Sequence, residues 1–229
     1  MSHPKYTARI IAKTIDHSLL KPEMTREEVK SGCEIAKKYD VASVCCKPSD
    51  VKFCADLLKG TDVQVGTVVG FPHGSSTTEV KVFETKQAVA DGATEIDMVI
   101  NIGHLKSGLH SEVQADIKAV VDASAGHTVK VILENAYLTD EEKVTACKLS
   151  EAAGAHYVKT STGYAPTGAS IADIKLMKAS VSPTIKLKSA GGVRTLDVLM
   201  EYLDAGISRS GATTTAVMID EFIERFGRE

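Results

Sequence analysis

Short apolar runs rich in β-branched residues alternate with helix-like stretches along the chain, and the alternation repeats eight times. The runs recur at intervals of roughly 20–35 residues, which is the size of one strand–helix unit in an eightfold barrel. Most are apolar at consecutive positions, as expected for parallel strands that are buried on both faces. The predicted strands span residues 12–17, 41–46, 63–71, 94–101, 128–135, 155–161, 184–190 and 207–212.

Several helix starts between these runs carry a capping signal. Thr25 with Glu28, and Thr139 with Glu142, fit the capping box, in which a hydroxyl and a carboxylate bond the free backbone N–H groups of a helix N-terminus. The segment 2–11 predicts a short additional helix before the first strand. Helices therefore fall between the predicted strands.

This order of elements predicts an α/β fold. We expect residues 1–229 to form a single (β/α)8 TIM barrel with a short extra N-terminal helix, because eight units of similar length favour a closed ring of strands. A doubly wound open sheet is the alternative, but no G-x-G-x-x-G motif follows the first strand.

Composition and charge narrow the class of protein. The chain is 43% hydrophobic and 25% charged, which is typical of soluble globular proteins, and its net charge of -3 predicts no binding to nucleic acid or anionic membrane. No apolar run is long enough for a signal peptide or a membrane span. Five cysteines and seven histidines lack metal-ligand or disulfide spacing, so we expect a cytoplasmic protein without a metal site. Cys45 and Cys46 are interpreted as buried rather than reactive thiols.

Charged residues stand within or directly after several predicted strands. Side chains alternate between the two faces of a strand, so the apolar positions that face the helices identify the charged positions as inward-facing. Buried ion pairs would explain any one of these residues alone. The charged positions are Asp16, Glu95, Asp97, Glu134, Lys159, Lys186 and Lys188.

Two lysines on neighbouring strands repel each other, which suggests a chemical use. Making Lys159 nucleophilic near pH 7 requires its pKa to fall by about 3 units, or roughly 4 kcal/mol. A second ammonium about 5 Å away contributes about 3 kcal/mol at an effective dielectric constant near 20, and burial supplies the remainder. The pattern leaves open whether Lys186 or Lys188 is that second amine. A neutral lysine of this kind attacks carbonyl groups to form Schiff bases.

Glycine-rich turns follow the last two predicted strands. The segments 189–195 (SAGGVRT) and 208–215 (SRSGATTT) offer backbone N–H groups at places where barrels of this kind bind phosphate. Each turn alone is weak evidence, since Gly-Gly often marks only a tight turn. Together they favour a substrate that carries a phosphate group.

The chain resembles the 2-deoxyribose-5-phosphate aldolases nearly end to end. The resemblance rests on a series of motifs in the same order, namely IDHSLLKP (15–22), Val44-Cys45, VGFP (69–72), EIDMVINIG (95–103), VKTSTG (158–163) and KSAGGVRT (188–195).

The resemblance implies a metal-free class I aldolase without a cofactor. Such an enzyme reversibly cleaves 2-deoxy-D-ribose 5-phosphate to acetaldehyde and D-glyceraldehyde 3-phosphate in deoxyribose catabolism. Lys159 would form the Schiff base, Lys188 would lower its pKa and relay protons, and Asp97 would donate and accept protons through a water. Lys186 would then be either a residue deeper in the barrel or a structural one.

The resemblance also implies the substrate contacts and partners. The expected partners are sugar-phosphate and aldehyde substrates. The sequence does not determine the oligomeric state, for which a homo-oligomer, and within that a dimer, is the favoured expectation. The residues expected around the substrate are Asp16, Ser18, Cys45, Thr160 and Gly163. Those expected around its phosphate, with Gly163, are Gly191, Gly192, Gly211, Thr213 and Thr214.

Three departures from the family pattern bear on rate and substrate preference. The last loop carries threonines where serine is more usual, so its fit around phosphate is expected to be tighter. Tyr164 replaces a lysine found in some members and removes a cation from the phosphate site. The tail 226–229 lacks a C-terminal tyrosine, so proton transfer is expected to proceed without it.

Two other functions fit parts of the pattern. A transaldolase-like or ketose-bisphosphate aldolase would also use a barrel lysine, but would need more side-chain contacts for extra hydroxyls or a second phosphate. A sugar-phosphate sensor would keep the barrel without the chemistry, but binding alone does not require two amines that repel each other.

Overall fold

The computed structural model describes residues 5–228, which form a closed barrel of eight parallel strands in chain order. Strand β1 pairs with both β2 and β8, so the ring has no open edge and the (β/α)8 prediction is confirmed. The strands are Ile15–Leu19 (β1), Ser43–Cys46 (β2), Gln64–Val69 (β3), Glu95–Val99 (β4), Thr128–Ile132 (β5), Tyr157–Lys159 (β6), Lys186–Ser189 (β7) and Arg209–Ala212 (β8).

Helices lie between the strands, and one precedes them. They are Ala8–Ala12 (α1), Arg26–Tyr39 (α2), Val51–Leu58 (α3), Thr78–Ala90 (α4), Ile102–Lys106 (α5), His110–Ala123 (α6), Asp140–Ala152 (α7), Ile171–Ser180 (α8), Leu196–Ala205 (α9) and Thr215–Phe226 (α10). The extra N-terminal helix is α1, and both predicted capping boxes are present at α2 and α7. The predicted positions 2–4, and residue 229 of the tail, lie outside the described residues. Within residues 5–228, none of the helices combines the length and apolar content needed to cross a membrane.

Every strand differs from its predicted range at one end or both, by at most three residues, and the differences in β1 and β5 affect charged residues. The first strand begins at Ile15 rather than at residue 12, because residue 12 still belongs to α1 and the Thr14 hydroxyl bonds the Ile11 carbonyl. Asp16 is therefore near the start of β1 and not at its end. The fifth strand stops at Ile132, and Glu134 follows it in the left-handed region, with φ of 56°.

The predicted faces of the strands are correct where side chains are apolar. Ile96, Met98 and Ile100 are fully buried in the layer between barrel and helices. Lys186 is the exception to the predicted burial. It is exposed at the first position of β7, with its Nζ 5.8 Å from the centre of the Tyr157 ring, because the strand begins there and the side chain reaches solvent.

Candidate active site

Seven charged side chains meet inside the barrel, and we call them the interior cluster. Strand alternation points them inward, and the register places Asp97 beside Lys130 and Lys159 beside Lys188 on neighbouring strands. All are buried except Arg209, which is partly buried. The members are Asp16, Glu95, Asp97, Lys130, Lys159, Lys188 and Arg209.

The carboxylate of Asp97 joins three amines. Its Oδ2 accepts hydrogen bonds from Nζ of Lys159 and from Nζ of Lys188, both at 2.7 Å. Its Oδ1 accepts from Nζ of Lys130 at 2.9 Å. The two amines predicted to work together thus share one oxygen, and a third amine fixes the orientation of the carboxylate.

The other two carboxylates hold the lower part of the cluster together. Glu95 accepts hydrogen bonds from Lys130 and from Arg209, each at 2.7 Å. Asp16 pairs with Lys188 and accepts a hydrogen bond from Nε of Arg209 at 2.6 Å. Lys130 and Arg209 therefore act as cross-links, and each side chain of the cluster has a charged neighbour.

Charge balance in the cluster singles out Lys159. Three carboxylates face four basic side chains, so the charges cancel when one of the four is neutral. A net charge in a buried site is costly unless it is paired. Lys159 has a single carboxylate contact within the cluster, whereas Lys130 and Lys188 each have more than one. Lys159 is therefore the side chain that can be neutral at least cost.

The pKa shifts of Lys159 and Lys188 agree with this charge balance. Burial lowers the pKa of Lys159 below its ordinary value of 10.5, and the charge of Lys188 adds to this effect against the opposing charge of Asp97. Burial also disfavours the charged form of Lys188, but Asp16 and Asp97 outweigh it and raise the Lys188 pKa. The three amines around Asp97 overcome its burial and hold its pKa well below the usual range. These shifts favour the neutral form of Lys159 and the protonated form of Lys188.

A cavity of about 530 Å³ opens above Lys159 at the carboxyl ends of the strands. It is bounded by the loops after β1, β6, β7 and β8, which brings together both glycine-rich turns predicted to bind phosphate. Lys21 and Arg194 also line it and supply positive charge that the sequence analysis did not assign. The predicted residues that line it are Ser18, Lys159, Gly163, Gly191, Gly192, Gly211 and Thr213.

Four predicted substrate or phosphate contacts do not line this cavity. Asp16 lies below it in the interior cluster, and Cys45 is buried on β2, where burial raises the pKa of its thiol. The Thr160 hydroxyl is buried against Ala190, whose N–H donates to it at 3.1 Å. The Thr214 hydroxyl donates to the carbonyl of Arg194 at 2.9 Å. Thr160 and Thr214 thus connect loops in this structure.

The loops after β6 and β7 pack backbone against backbone. A Cβ atom at Gly168 would lie 2.1 Å from the carbonyl oxygen of Gly191, and Gly191 itself has φ of 78°. The N–H of Ala169 donates to that same carbonyl at 3.1 Å. Only glycine permits this approach and this backbone conformation. The contact fixes the proposed phosphate-binding turn relative to the loop that follows Lys159.

Three site residues were missed or left without a partner by the sequence analysis. Lys130 lies between Val129 and Val131, so strand alternation alone would have identified it as inward-facing. Arg209 stands in a Ser- and Gly-rich segment with no apolar neighbours to mark its face. Glu134 was noticed but not explained. Its carboxylate bonds the backbone N–H and the hydroxyl of Thr162 and so holds the loop after Lys159.

The described residues contain no set of three or more His, Cys, Asp or Glu side chains arranged to hold a metal ion. A family model described as DeoC/LacD family aldolase matches residues 10–219. The chain belongs to this aldolase family.

Relatives of this DeoC/LacD family aldolase match it over nearly their full length. A deoxyribose-phosphate aldolase of Staphylococcus epidermidis is 53% identical over 208 residues, which cover 91% of this chain and 94% of that protein. One from Staphylococcus saprophyticus is 54% identical over 202 residues, which cover 88% and 92% of the two chains. A deoxyribose phosphate aldolase structure from Aeropyrum pernix, described as tetrameric, has a TM-score of 0.88 at 27% identity and covers 94% of this chain and 92% of its own. As an aldolase, the chain is a lyase.

Proposed function

We propose that this aldolase cleaves 2-deoxy-D-ribose 5-phosphate reversibly to acetaldehyde and D-glyceraldehyde 3-phosphate by a Schiff-base mechanism. The observation that carries the proposal is the shared oxygen of Asp97, which lies 2.7 Å from both the low-pKa amine of Lys159 and the amine of Lys188. The substrate follows from the curated relatives, which are named for deoxyribose phosphate. The glycine-rich turns beside the same cavity support a phosphorylated substrate.

The first step joins the enzyme to the sugar. The neutral Nζ of Lys159 attacks C1 of the open-chain aldehyde and forms a carbinolamine. Lys188 supplies, through Asp97, the proton with which the C1 hydroxyl leaves as water. The product is an iminium ion on Lys159, and the positive charge now stands next to the carboxylate of Asp97.

The second step breaks the carbon–carbon bond. A base takes the proton of the C3 hydroxyl, and the electron pair of the C2–C3 bond moves into the iminium to give an enamine. C3 becomes the aldehyde carbon of D-glyceraldehyde 3-phosphate. Protonation at C2 and hydrolysis of the resulting iminium release acetaldehyde and restore the Lys159 amine. Asp97 and Lys188 are the groups placed to carry these protons.

The phosphate lies in this proposal against the turns after β7 and β8. Gly191, Gly192, Gly211 and Thr213 border the cavity there, and backbone N–H groups of such turns bind phosphate oxygens. Arg194 adds a permanent positive charge to the same wall. Thr214, which bonds the Arg194 carbonyl, would act by fixing the turn.

Borohydride trapping tests the role of Lys159. Incubation with acetaldehyde and borohydride, followed by digestion and mass spectrometry, is expected to place one ethyl group on the peptide that carries Lys159. Lys159→Leu should show neither this adduct nor cleavage of deoxyribose 5-phosphate, because it lacks the amine that forms the Schiff base.

The matched control is Lys186→Leu, which removes an exposed lysine of the neighbouring strand. It should retain both the adduct and the cleavage activity. Adducts spread over surface lysines in the wild type, or measurable cleavage by Lys159→Leu, would contradict the proposed mechanism.

We further propose that the enzyme acts in the cytoplasm, in deoxyribose catabolism, as a homo-oligomer with a dimer as the expected form. The tetramer described for the Aeropyrum pernix relative shows that this fold can assemble. Light scattering on the purified protein decides the state. A mass of twice one chain supports the dimer, and a mass of one chain excludes any oligomer at that concentration.

A further inference from the structure

Tyr164 joins three loops at the mouth of the barrel. Its Oη–H donates to the carbonyl oxygen of Leu20, in the loop after β1, at 2.8 Å. Its ring meets Phe71, in the loop after β3, edge to face with ring centres 5.5 Å apart. Its own N–H donates to the hydroxyl of Thr162 at 3.0 Å. Tyr164 is 49% exposed, yet two contacts hold its side chain and a third holds its backbone.

Two cavities meet at this ring. One is the cavity of about 530 Å³ that contains Lys159 and the glycine-rich turns. The other, of about 430 Å³, is mostly apolar and includes Leu20, Val68, Phe71 and Pro72 in its lining, with Lys47 and Glu84 as its charged members. Tyr164, Leu20 and Pro22 border both. The ring is therefore part of the wall between the cavity that contains Lys159 and the apolar cavity.

The apolar cavity reaches towards the reacting groups. Val68 is buried on β3 at a barrel-facing position, since its neighbours in sequence lie on the opposite face of the strand. The register places Val68 directly beside Asp97 on β4. A substrate attached to Lys159 could thus extend towards either cavity if the wall at Tyr164 were removed.

We propose that Tyr164 is a specificity-determining residue that directs the acceptor aldehyde to the phosphate-binding loops and closes off the apolar cavity. This inference rests on the proposed aldolase function and adds to it the origin of acceptor preference. The ring excludes an apolar chain by occupying its path, and the bond to Leu20 keeps the ring there. An apolar acceptor gains by burying its chain only when that path is open.

The test compares two acceptors in the addition of acetaldehyde. D-glyceraldehyde 3-phosphate carries the phosphate, and hexanal is an apolar aldehyde of similar length. Tyr164→Ala should shift the ratio of kcat/KM values towards hexanal by about tenfold or more, as expected when a buried hydrocarbon contact is gained. The shift should appear mainly in KM, because Lys159 and Asp97 are unchanged. Tyr164→Phe keeps the ring but loses the bond to Leu20, and should give a smaller shift in the same direction.

Tyr137→Ala is the matched control, because Tyr137 is also 49% exposed but borders neither of the two large cavities. Its acceptor ratio should equal that of the wild type. Should Tyr164→Ala fail to fold, Tyr164→Leu carries the same comparison, since its smaller side chain also removes the aromatic ring and the bond to Leu20. Borohydride trapping with acetaldehyde confirms that each variant retains a reactive Lys159.

The outcomes separate this inference from the proposed function. A wild type that forms no adduct at Lys159 overturns the proposed function, and the inference with it. Normal trapping with an acceptor ratio in Tyr164→Ala or Tyr164→Leu that stays at the wild-type value overturns only the role of Tyr164. An equal loss of kcat for both acceptors also overturns it, since that result shows a structural role without selectivity.

Discussion

At the scale of single residues, the amine of Lys159 differs from the other cations of the interior cluster in what surrounds it. Lys188 lies between two carboxylates, Asp16 and Asp97, and stays charged. Lys159 shares its one carboxylate contact with that charged neighbour, and burial disfavours its own charged form. Since both lysines contact the same oxygen, a change at one alters the proton affinity of the other.

Removal of Lys188 should therefore change the pH dependence of the rate. In Lys188→Leu the cluster loses a cation, and Lys159 takes over the proton, so its pKa rises towards the ordinary 10.5. The acid limb of the profile of kcat/KM against pH should move to higher pH. At pH 7 the rate should fall by about 10²-fold, because the loss of about 3 kcal/mol of repulsion corresponds to a pKa rise of about 2 units while burial remains.

The control for this experiment is Lys186→Leu on the same strand, where an exposed lysine is lost and the cluster is intact. Its profile should superimpose on that of the wild type. A Lys188→Leu profile with an unmoved acid limb would show that Lys188 does not set the pKa of Lys159.

Sequence alternation explains how much of this site could be predicted. Lys159, Lys188 and Asp97 lie on strands whose apolar neighbours mark the opposite face, so their inward direction was correctly predicted. Alternation gives a direction but no partner, and the partners depend on the register between strands. The pairing of Asp97 with Lys130 became visible only through that register. The link between Thr160 and Ala190, across two loops, has no local sequence signal at all.

At the scale of elements, the capping boxes show a local signal that survives folding unchanged. The Thr139 hydroxyl accepts from the N–H of Glu142, and the Glu142 carboxylate accepts from the N–H of Thr139 at 2.8 Å. Thr139 and Glu142 are only three positions apart in the sequence, so the motif itself predicts these hydrogen bonds. Strand ends lack such signals, which is why the predicted strand boundaries differ from those observed by up to three residues.

Loss of a cap should lower stability without affecting chemistry. Thr139→Ala removes the side-chain acceptor at the start of α7, and the free energy of unfolding should fall by about 1 kcal/mol. Denaturant titration of the purified variant measures this change, and kcat should stay at the wild-type value because Thr139 does not line the cavity that contains Lys159.

Thr145→Ala, within the same helix, provides the comparison. The Thr145 hydroxyl bonds the carbonyl of Glu141, whose partner within the helix remains when the hydroxyl is removed. This variant should change stability by a few tenths of a kcal/mol at most. Equal losses in the two variants would mean that the cap contributes nothing beyond general helix propensity.

At the scale of the whole molecule, buried ionisable groups connect the stability of the barrel to pH. His17 on β1 is buried against α10, with Nδ1 2.8 Å from the hydroxyl of Thr215, and burial lowers its pKa from 6.5 to about 4. Between these two pH values the unfolded chain binds a proton that the folded chain does not. Stability should therefore fall as the pH decreases from about 6.5 to about 4, by roughly 3 kcal/mol in total.

In the variant His17→Asn, the free energy of unfolding should lack this decrease between pH 6.5 and pH 4. Asp16 and Asp97 act at lower pH, since their depressed pKa values add stability that is lost only as the pH falls below the range of an ordinary carboxyl. Unfolding free energies measured from pH 7 to pH 4 test the assignment. Parallel curves for wild type and variant would show that His17 does not titrate on unfolding.

From the sequence alone, closure of the barrel was an expectation, with an open sheet as the alternative. Eight units of similar length favoured a ring, but pairing of β1 with β8 joins residues almost two hundred positions apart. That same closure brings Arg209 against Asp16 and so completes the interior cluster. The parts of the site that local patterns miss are those that depend on contacts between the two ends of the chain.

Because Gly168 and Gly191 are in contact, the loops after β6 and β7 can change only together. Their backbones lie too close for a side chain to be introduced on one without displacing the other. A chimaera that took only one of these loops from a relative would combine two loops whose backbones do not fit each other. Substrate range in this barrel can therefore be transplanted, in the laboratory or over evolution, in matched pairs of loops.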